Sequence, residues 1–350
     1  MKRQKIESLQ ILRALAFLEI FLGHCGMECF SGSFGVSIFM ILSGFCMAIN
    51  YLPKANTLPL SPVKCANYGI SKVKKLYGLH VIMLAITYVV VRMPDSVKAI
   101  QRLVVDLLLL KCWRPHSEDY YSYNGVAWYL STYLFVCMMA PYVIRMVSKI
   151  KKTAQAVGMS VAVYGLMVLV GYQVSIVVIP IGDGFAKWLT YICPLYRLMD
   201  FGLGVLLGWI FLKEQERENE GNWKWTLLEL LTVLAVIVFE KNYPEFKAKY
   251  MGLGYTAFWI PVSMLLVYMF AHNKGWITKL LNCRVLLWLG NISSLTFLIH
   301  QIVIRWLKME INGKLSGNTQ LIFVILCSGL ITLSGAWIYS VLQSVLKKKK

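Results

Sequence analysis

Long apolar runs separated by short polar stretches dominate this chain. They recur at 8–25, 34–51, 76–93, 125–147, 156–179, 186–212, 225–240, 254–271, 285–306 and 319–346, each close to the twenty or so helical residues that cross a hydrocarbon core. No regular alternation of apolar and polar positions accompanies them, so the pattern predicts helices and excludes a barrel. The expected fold is all-α, a polytopic transmembrane helix bundle of about ten spans forming a single membrane domain over 1–350. A further apolar piece, 97–111, is short and contains Arg102 and Asp106. The segment 94–124 is therefore expected to be an extracytoplasmic loop holding an interfacial or re-entrant stretch. No repeat of solenoid length is visible, and the hydrophilic stretch at 213–225 is too short for a second domain.

Composition supports a lipid-embedded protein: 58% of residues are hydrophobic and 15% charged, where a soluble domain carries about a quarter charged. The excess of 36 Lys and Arg over 17 Asp and Glu does not point to nucleic acid, because the basic residues lie between apolar runs rather than on one compact domain. It fits topology instead. With ten spans, the segments facing one side carry most of the Lys and Arg, and that side is the cytoplasm. Both termini then lie inside, with 347–350 as a cytoplasmic lysine tail. Counting 97–111 as a span would place that tail outside. The N-terminus has a basic head and an apolar body but lacks a small-x-small cleavage site, so it reads as a retained first helix. Nine cysteines are scattered without a C-x-x-C, which predicts core packing and no metal site. Cys25 and Cys29, one helical turn apart, are poorly placed for a disulfide. Gly204 and Gly208 form a small-xxx-small pair suited to close helix packing.

Ionisable side chains inside a bilayer cost at least about 2.5–3.5 kcal/mol each at the helix centre, so they need partners or a watery cavity. Arg13 and His24 meet this condition in the first span. Eleven steps of about 100° make three turns plus about 20°, which puts both on one helix face about 16 Å apart. Arg13 then lies in the cytoplasmic half and His24 near the outer surface. The spacing suits a long substrate with anionic phosphates at one end and a reactive group at the other, the shape of acyl-CoA. Arg13 offers a planar donor fork for phosphate, and His24 a general base. A snorkelling Arg and a helix-capping His remain the structural alternative.

Several blocks then resemble the acyltransferase 3 family of membrane proteins. They are Arg13-Ala14-Leu15-Ala16 with His24, Gly35 to Phe45 (GVSIFMILSGF), the basic stretch Ser71 to Tyr77 (SKVKKLY), and Asn124 to Leu130 (NGVAWYL). Pro194-Leu195-Tyr196-Arg197 with Phe201 to Gly204, and Leu289 to Ser293 leading to His300, complete the series in family order over nearly the whole chain. The resemblance implies a multi-pass plasma-membrane enzyme, bacterial in type. Its donor would be cytoplasmic acyl-CoA, commonly acetyl-CoA, used as co-substrate with no permanently bound cofactor. The acceptor implied is a hydroxyl on a surface carbohydrate or lipid-linked glycan precursor. It makes Arg13 and His24 the first choice for catalysis. Departures are visible: Lys72 and Lys75 stand where many members carry arginines, keeping charge but losing bidentate geometry. Thr132 and Tyr133 follow Trp128 where some members have Glu.

Donor phosphates are thus expected at Arg13, Lys72 and Lys75. Arg197, Asp200, His300 and Trp128 are candidates for substrate binding, although Arg197 and Asp200, three apart, also suit a structural pair. Ser43 lacks the setting of a nucleophile elbow. A homo-oligomer is compatible with this reading. The rival reading is a carrier for a small polar solute with Arg197, Asp200 and His300 along its path, but no related halves of the transporter kind are visible.

Overall fold

The computed structural model describes residues 6–90, 96–178, 182–215 and 223–348. The expected cytoplasmic positions of Lys2, Arg3 and Lys5, the start of the 94–124 loop, most of the 213–225 stretch and the end of the 347–350 tail lie outside the described residues. Among the described residues the secondary structure is helical throughout. In order, the helices are α1 Ser8–Cys25, α2 Ser33–Tyr51, α3 Pro62–Val90, α4 Val97–Leu107, α5 Ser117–Tyr120, α6 Trp128–Val147, α7 Thr153–Gln173, α8 Asp183–Lys187, α9 Pro194–Gln215 and α10 Trp223–Lys249. They continue with α11 Met251–Gly254, α12 Ile260–His272, α13 Trp276–Leu280, α14 Arg284–Glu310 and α15 Gly317–Lys348.

Eight described helices are long and apolar enough to cross a membrane: α1, α2, α3, α6, α7, α9, α14 and α15. The other two expected spans coincide with α10 and with the shorter apolar segment Ala257–His272. Helix α10 is long, but it carries Glu229 and Glu240 among its apolar residues. Glu229 is consumed locally: its carboxylate accepts from the backbone N–H of Ile277 at 2.7 Å and from the Thr278 hydroxyl at 2.6 Å, holding the start of α13.

Burial divides the bundle. Helices α1, α2, α9 and α14 bury more than half of their apolar windows, whereas α7 and α15 bury 17% and 22%. The first group is the centre, and the exposed Leu, Ile and Val side chains of α3, α7, α10 and α15 form the outer face, as expected where lipid replaces water as solvent. At the centre α2 packs on α9 and α1 packs on α14. The α2–α9 contact is nearly backbone to backbone, because a Cβ at Gly204 would run into the Ile41 carbonyl and one at Gly44 into the Phe201 carbonyl. Gly204→Leu should overpack this seam by about 1–3 kcal/mol. Size-exclusion profiles and heating-induced aggregation in detergent should show a lower melting midpoint than for Gly158→Leu, where a Cβ meets open space.

Helix α4 packs its end against α3. At eleven residues, α4 is about 16 Å long, half of a hydrocarbon core. Ser96 caps its start by accepting from the Ala99 N–H at 3.2 Å. Its end rests against the middle of α3, where Tyr77 donates to the Leu107 carbonyl and the His80 ring meets the Asp106 carbonyl. Arg102, polar within the apolar stretch, pairs with Glu118 at 2.6 Å and Asp119 at 2.9 Å. Asp106 pairs with Lys111 at 2.8 Å, both fully buried. Burial pushes the Lys111 pKa down, and the adjacent carboxylate opposes that shift. The Lys111 ammonium also donates to the carbonyls of Ser122 and Asn124, and the Asn124 amide donates to the Leu298 carbonyl on α14 at 2.8 Å. A buried charge pair with its remaining donors satisfied thus ties the loop to the helix that carries His300. All nine cysteines are free thiols.

Candidate active site

Helix α1 ends where the chain must reverse. Gly26 takes a left-handed φ of +112° and its N–H returns to the Gly23 and Leu22 carbonyls, the usual glycine stop after a last helical turn. This stop places His24 in the final turn. Arg13 and His24 both reach α14: Arg13 donates to the Ser294 hydroxyl at 2.6 Å, and His24 Nδ1 lies 2.8 Å from His300 Nε2.

The partners of His300 assign the protons of the pair. Its Nδ1 faces the Phe297 carbonyl at 2.8 Å and the Thr296 carbonyl at 3.3 Å. A carbonyl only accepts, so Nδ1 carries the hydrogen. The ring is fully buried, with Phe17 edge-on at 5.7 Å and Phe21 at 6.4 Å, surroundings that favour a neutral imidazole. Neutral His300 then has a bare Nε2, which accepts from His24 Nδ1–H. His24 is left with its lone pair on Nε2. A buried ring that holds a histidine in one tautomer follows the orienting logic of a catalytic triad, with an imidazole in place of the carboxylate.

Two cavities flank this framework. The first, about 370 Å³, falls in the size range of small-molecule sites. Arg13, Ser43, Lys72, Lys75, Ser294 and Phe297 contribute to its wall. Lys72 donates to the Tyr51 hydroxyl at 2.7 Å and lies over the Tyr68 ring. Ser43 donates to the Phe39 carbonyl one turn back at 2.7 Å, a local bond with no base attached. The second cavity, about 450 Å³, is bordered by His24, Trp128, Tyr191, Lys187, Lys247 and Arg305. Phe297 borders both. Its ring packs against Phe39, Tyr129 and His300 at 6.2, 5.4 and 5.7 Å, so an aromatic cluster separates the cavity of Arg13 from the cavity of His24. The Arg13 cavity and the His24 cavity thus meet at Phe297.

The expected site residues therefore fall into three groups. Arg13, Lys72 and Lys75 share the first cavity; His24 and Trp128 share the second, with His300 behind His24. Arg197 and Asp200 border neither. They pair at 3.2 Å, both fully buried, and Arg197 also donates to the Thr256 hydroxyl and the Val36 carbonyl. This arrangement cross-links α2, α9 and the turn before α12. Sequence reasoning passed over Lys187, Lys247 and Arg305, which read as ordinary charges near helix ends. It also left Ser294 unremarked, a polar residue on α14 two turns before His300.

Comparison with known proteins names the chemistry. Residues 6–341 match the family model Acyl_transf_3, described as an acyltransferase domain. The acyltransferase MdmB of Streptomyces mycarofaciens is 24% identical over 339 residues, covering 89% of this chain and 82% of that protein. No solved structure matches the chain significantly. The solute-carrier reading gives way to an enzyme that transfers acyl groups, and the chain belongs to the acyltransferase 3 family of multi-pass membrane proteins.

Proposed function

We propose that this enzyme moves an acyl group, acetyl being the expected one, from cytoplasmic acyl-CoA to a hydroxyl of a surface carbohydrate or lipid-linked glycan precursor at the plasma membrane. The carrying observation is that one helix presents Arg13 to one cavity and an oriented His24 to another, with Phe297 bordering both. The excess of Lys and Arg on one side supports placing the Arg13 cavity at the cytoplasm. There Arg13, Lys72 and Lys75 meet the donor's phosphates, and the narrow pantetheine arm runs toward Phe297.

Transfer then needs a single proton relay. His24 Nε2 takes the acceptor hydroxyl's proton as its oxygen bonds to the thioester carbonyl carbon. The tetrahedral intermediate collapses by breaking the C–S bond, and the departing thiolate takes that proton back from His24. Ester and free CoA thiol are the products, and His24 ends in its starting tautomer, still held by His300. Movement of the Phe297 ring joins the two chambers for this step.

Titrating acetyl-CoA into the protein in lipid nanodiscs tests the donor assignment. A charge-assisted hydrogen bond contributes about 1.5–3 kcal/mol, so Arg13→Ala should weaken donor binding about ten- to a hundredfold. Arg13→Lys should recover part of the loss, since charge returns without the fork. Unchanged affinity in both Arg13→Ala and a Lys72→Ala/Lys75→Ala variant would remove acyl-CoA from this cavity.

A further inference from the structure

We infer that the cavity beside His24 takes an anionic saccharide, one whose carboxylate or phosphate sits on Lys187, Lys247 and Arg305 while its ring lies against Trp128 and Tyr191. This rests on the proposed reading of His24 as the base acting on the acceptor, and names the class of that acceptor.

Charge is the first argument. Three cations border the cavity, and no Asp or Glu is among its lining residues. Lys187 comes from α8 and Lys247 from α10, yet both ammonium groups lie over the same ring, that of Tyr255, at 5.7 and 5.1 Å. Among the described residues neither approaches a carboxylate closely enough for an ion pair. Glu19 does not line the cavity; its carboxylate is engaged behind the wall, accepting from the backbone N–H groups of the lining residues Ser31 and Gly32. Arg305 commits one N–H to the Tyr123 carbonyl at 2.9 Å, leaving most of its five donors uncommitted to that contact. Converging like charges repel in a confined space, and an anion between them reverses the sign of the interaction. Lysines serving only as interfacial anchors extend toward headgroups. Both of these are turned inward over aromatic faces.

The second argument is the apolar wall. Trp128 and Tyr191 meet at 4.8 Å with their planes 53° apart, and Trp128 is held at the start of α6 by the turn at Gly125–Ala127. Such rings offer flat faces to the C–H face of a pyranose, while the cations determine which sugar is retained. The same cavity holds His24, so an anchored sugar presents its hydroxyls to the base.

The experiment uses full-length protein in phosphatidylcholine nanodiscs, with tryptophan fluorescence reporting binding of methyl glucoside, glucuronate and glucose 1-phosphate. The anionic probes should bind about tenfold or more tightly than the neutral one. A Lys187→Gln/Lys247→Gln variant should lose that preference while still binding acetyl-CoA, which shows that it is folded and that the donor site stands. Stronger binding of glucuronate identifies a carboxylate acceptor, and of glucose 1-phosphate a phosphorylated one. Equal binding of all three probes, or a preference that survives the double variant, overturns the inference. So does displacement of both anionic probes by phosphatidylglycerol in the disc, which would assign the cations to lipid headgroups. Failure of acetyl-CoA to bind wild-type protein would instead overturn the donor assignment.

Discussion

His24→Ala should lower kcat by about 10²–10⁴-fold, the contribution of a positioned general base, while leaving acetyl-CoA affinity near its wild-type value. The separation follows from geometry: Arg13 borders one cavity and His24 the other, so removing the imidazole leaves the donor's phosphate contacts in place. The change is also mild structurally, because His24 lies at the wall of a cavity and its loss leaves His300 bonded to the Phe297 carbonyl. CoA-thiol release measured alongside donor binding would check the claim. A variant with wild-type turnover, or one whose loss lies entirely in donor affinity, would show that the base is elsewhere.

Most of the bundle is legible in the sequence because lipid imposes a simple rule: a helix that faces it must be long and continuously apolar. The rule works for α14 and α15, and falters at α10 and Ala257–His272, where Glu229 is answered by backbone donors of α13 and the apolar run is short. Arg102 and Asp106 are visible in the sequence as charges within the apolar piece 97–111, but their partners, Asp119 and Lys111, emerge only once the chain is folded. The placement of Arg13 and His24 on one face needs nothing beyond helical pitch. What that pitch cannot reveal is that Phe297 borders both the Arg13 and the His24 cavities, since the ring comes from a helix nearly 280 residues away in the chain. Lys187, Lys247 and Arg305 are invisible as a group for the same reason: their convergence is a product of the packing of α8, α10 and α14. The Arg197–Asp200 spacing was readable as a pair, and only the packing shows it bonding to α2 and Thr256 rather than facing a cavity.

The His300 ring should prove to be a positioning residue, and its replacement by Phe should reduce kcat about 10²-fold or more with little change in donor affinity. Phenylalanine keeps a flat apolar ring among Phe17, Phe21 and Phe297 but supplies no acceptor for His24 Nδ1–H. His24 is then free to exchange tautomers and to turn its lone pair from the acceptor, a fault of the kind that costs a serine protease about 10⁴-fold when its orienting carboxylate becomes an amide. Two readouts separate orientation from packing. His300→Gln restores an amide oxygen able to accept a hydrogen bond from His24 Nδ1–H and should recover part of the lost turnover, which a purely steric role would not do. In protein labelled with ¹⁵N-histidine, the His24 resonances should show Nδ1–H with bare Nε2 in the wild type and a mixture of tautomers in His300→Phe. Nδ1 of His24 found bare in the wild type would reverse the direction of the hydrogen bond. The base would then point into the pair instead of toward the acceptor, and the proton path drawn through His24 Nε2 would fail with it.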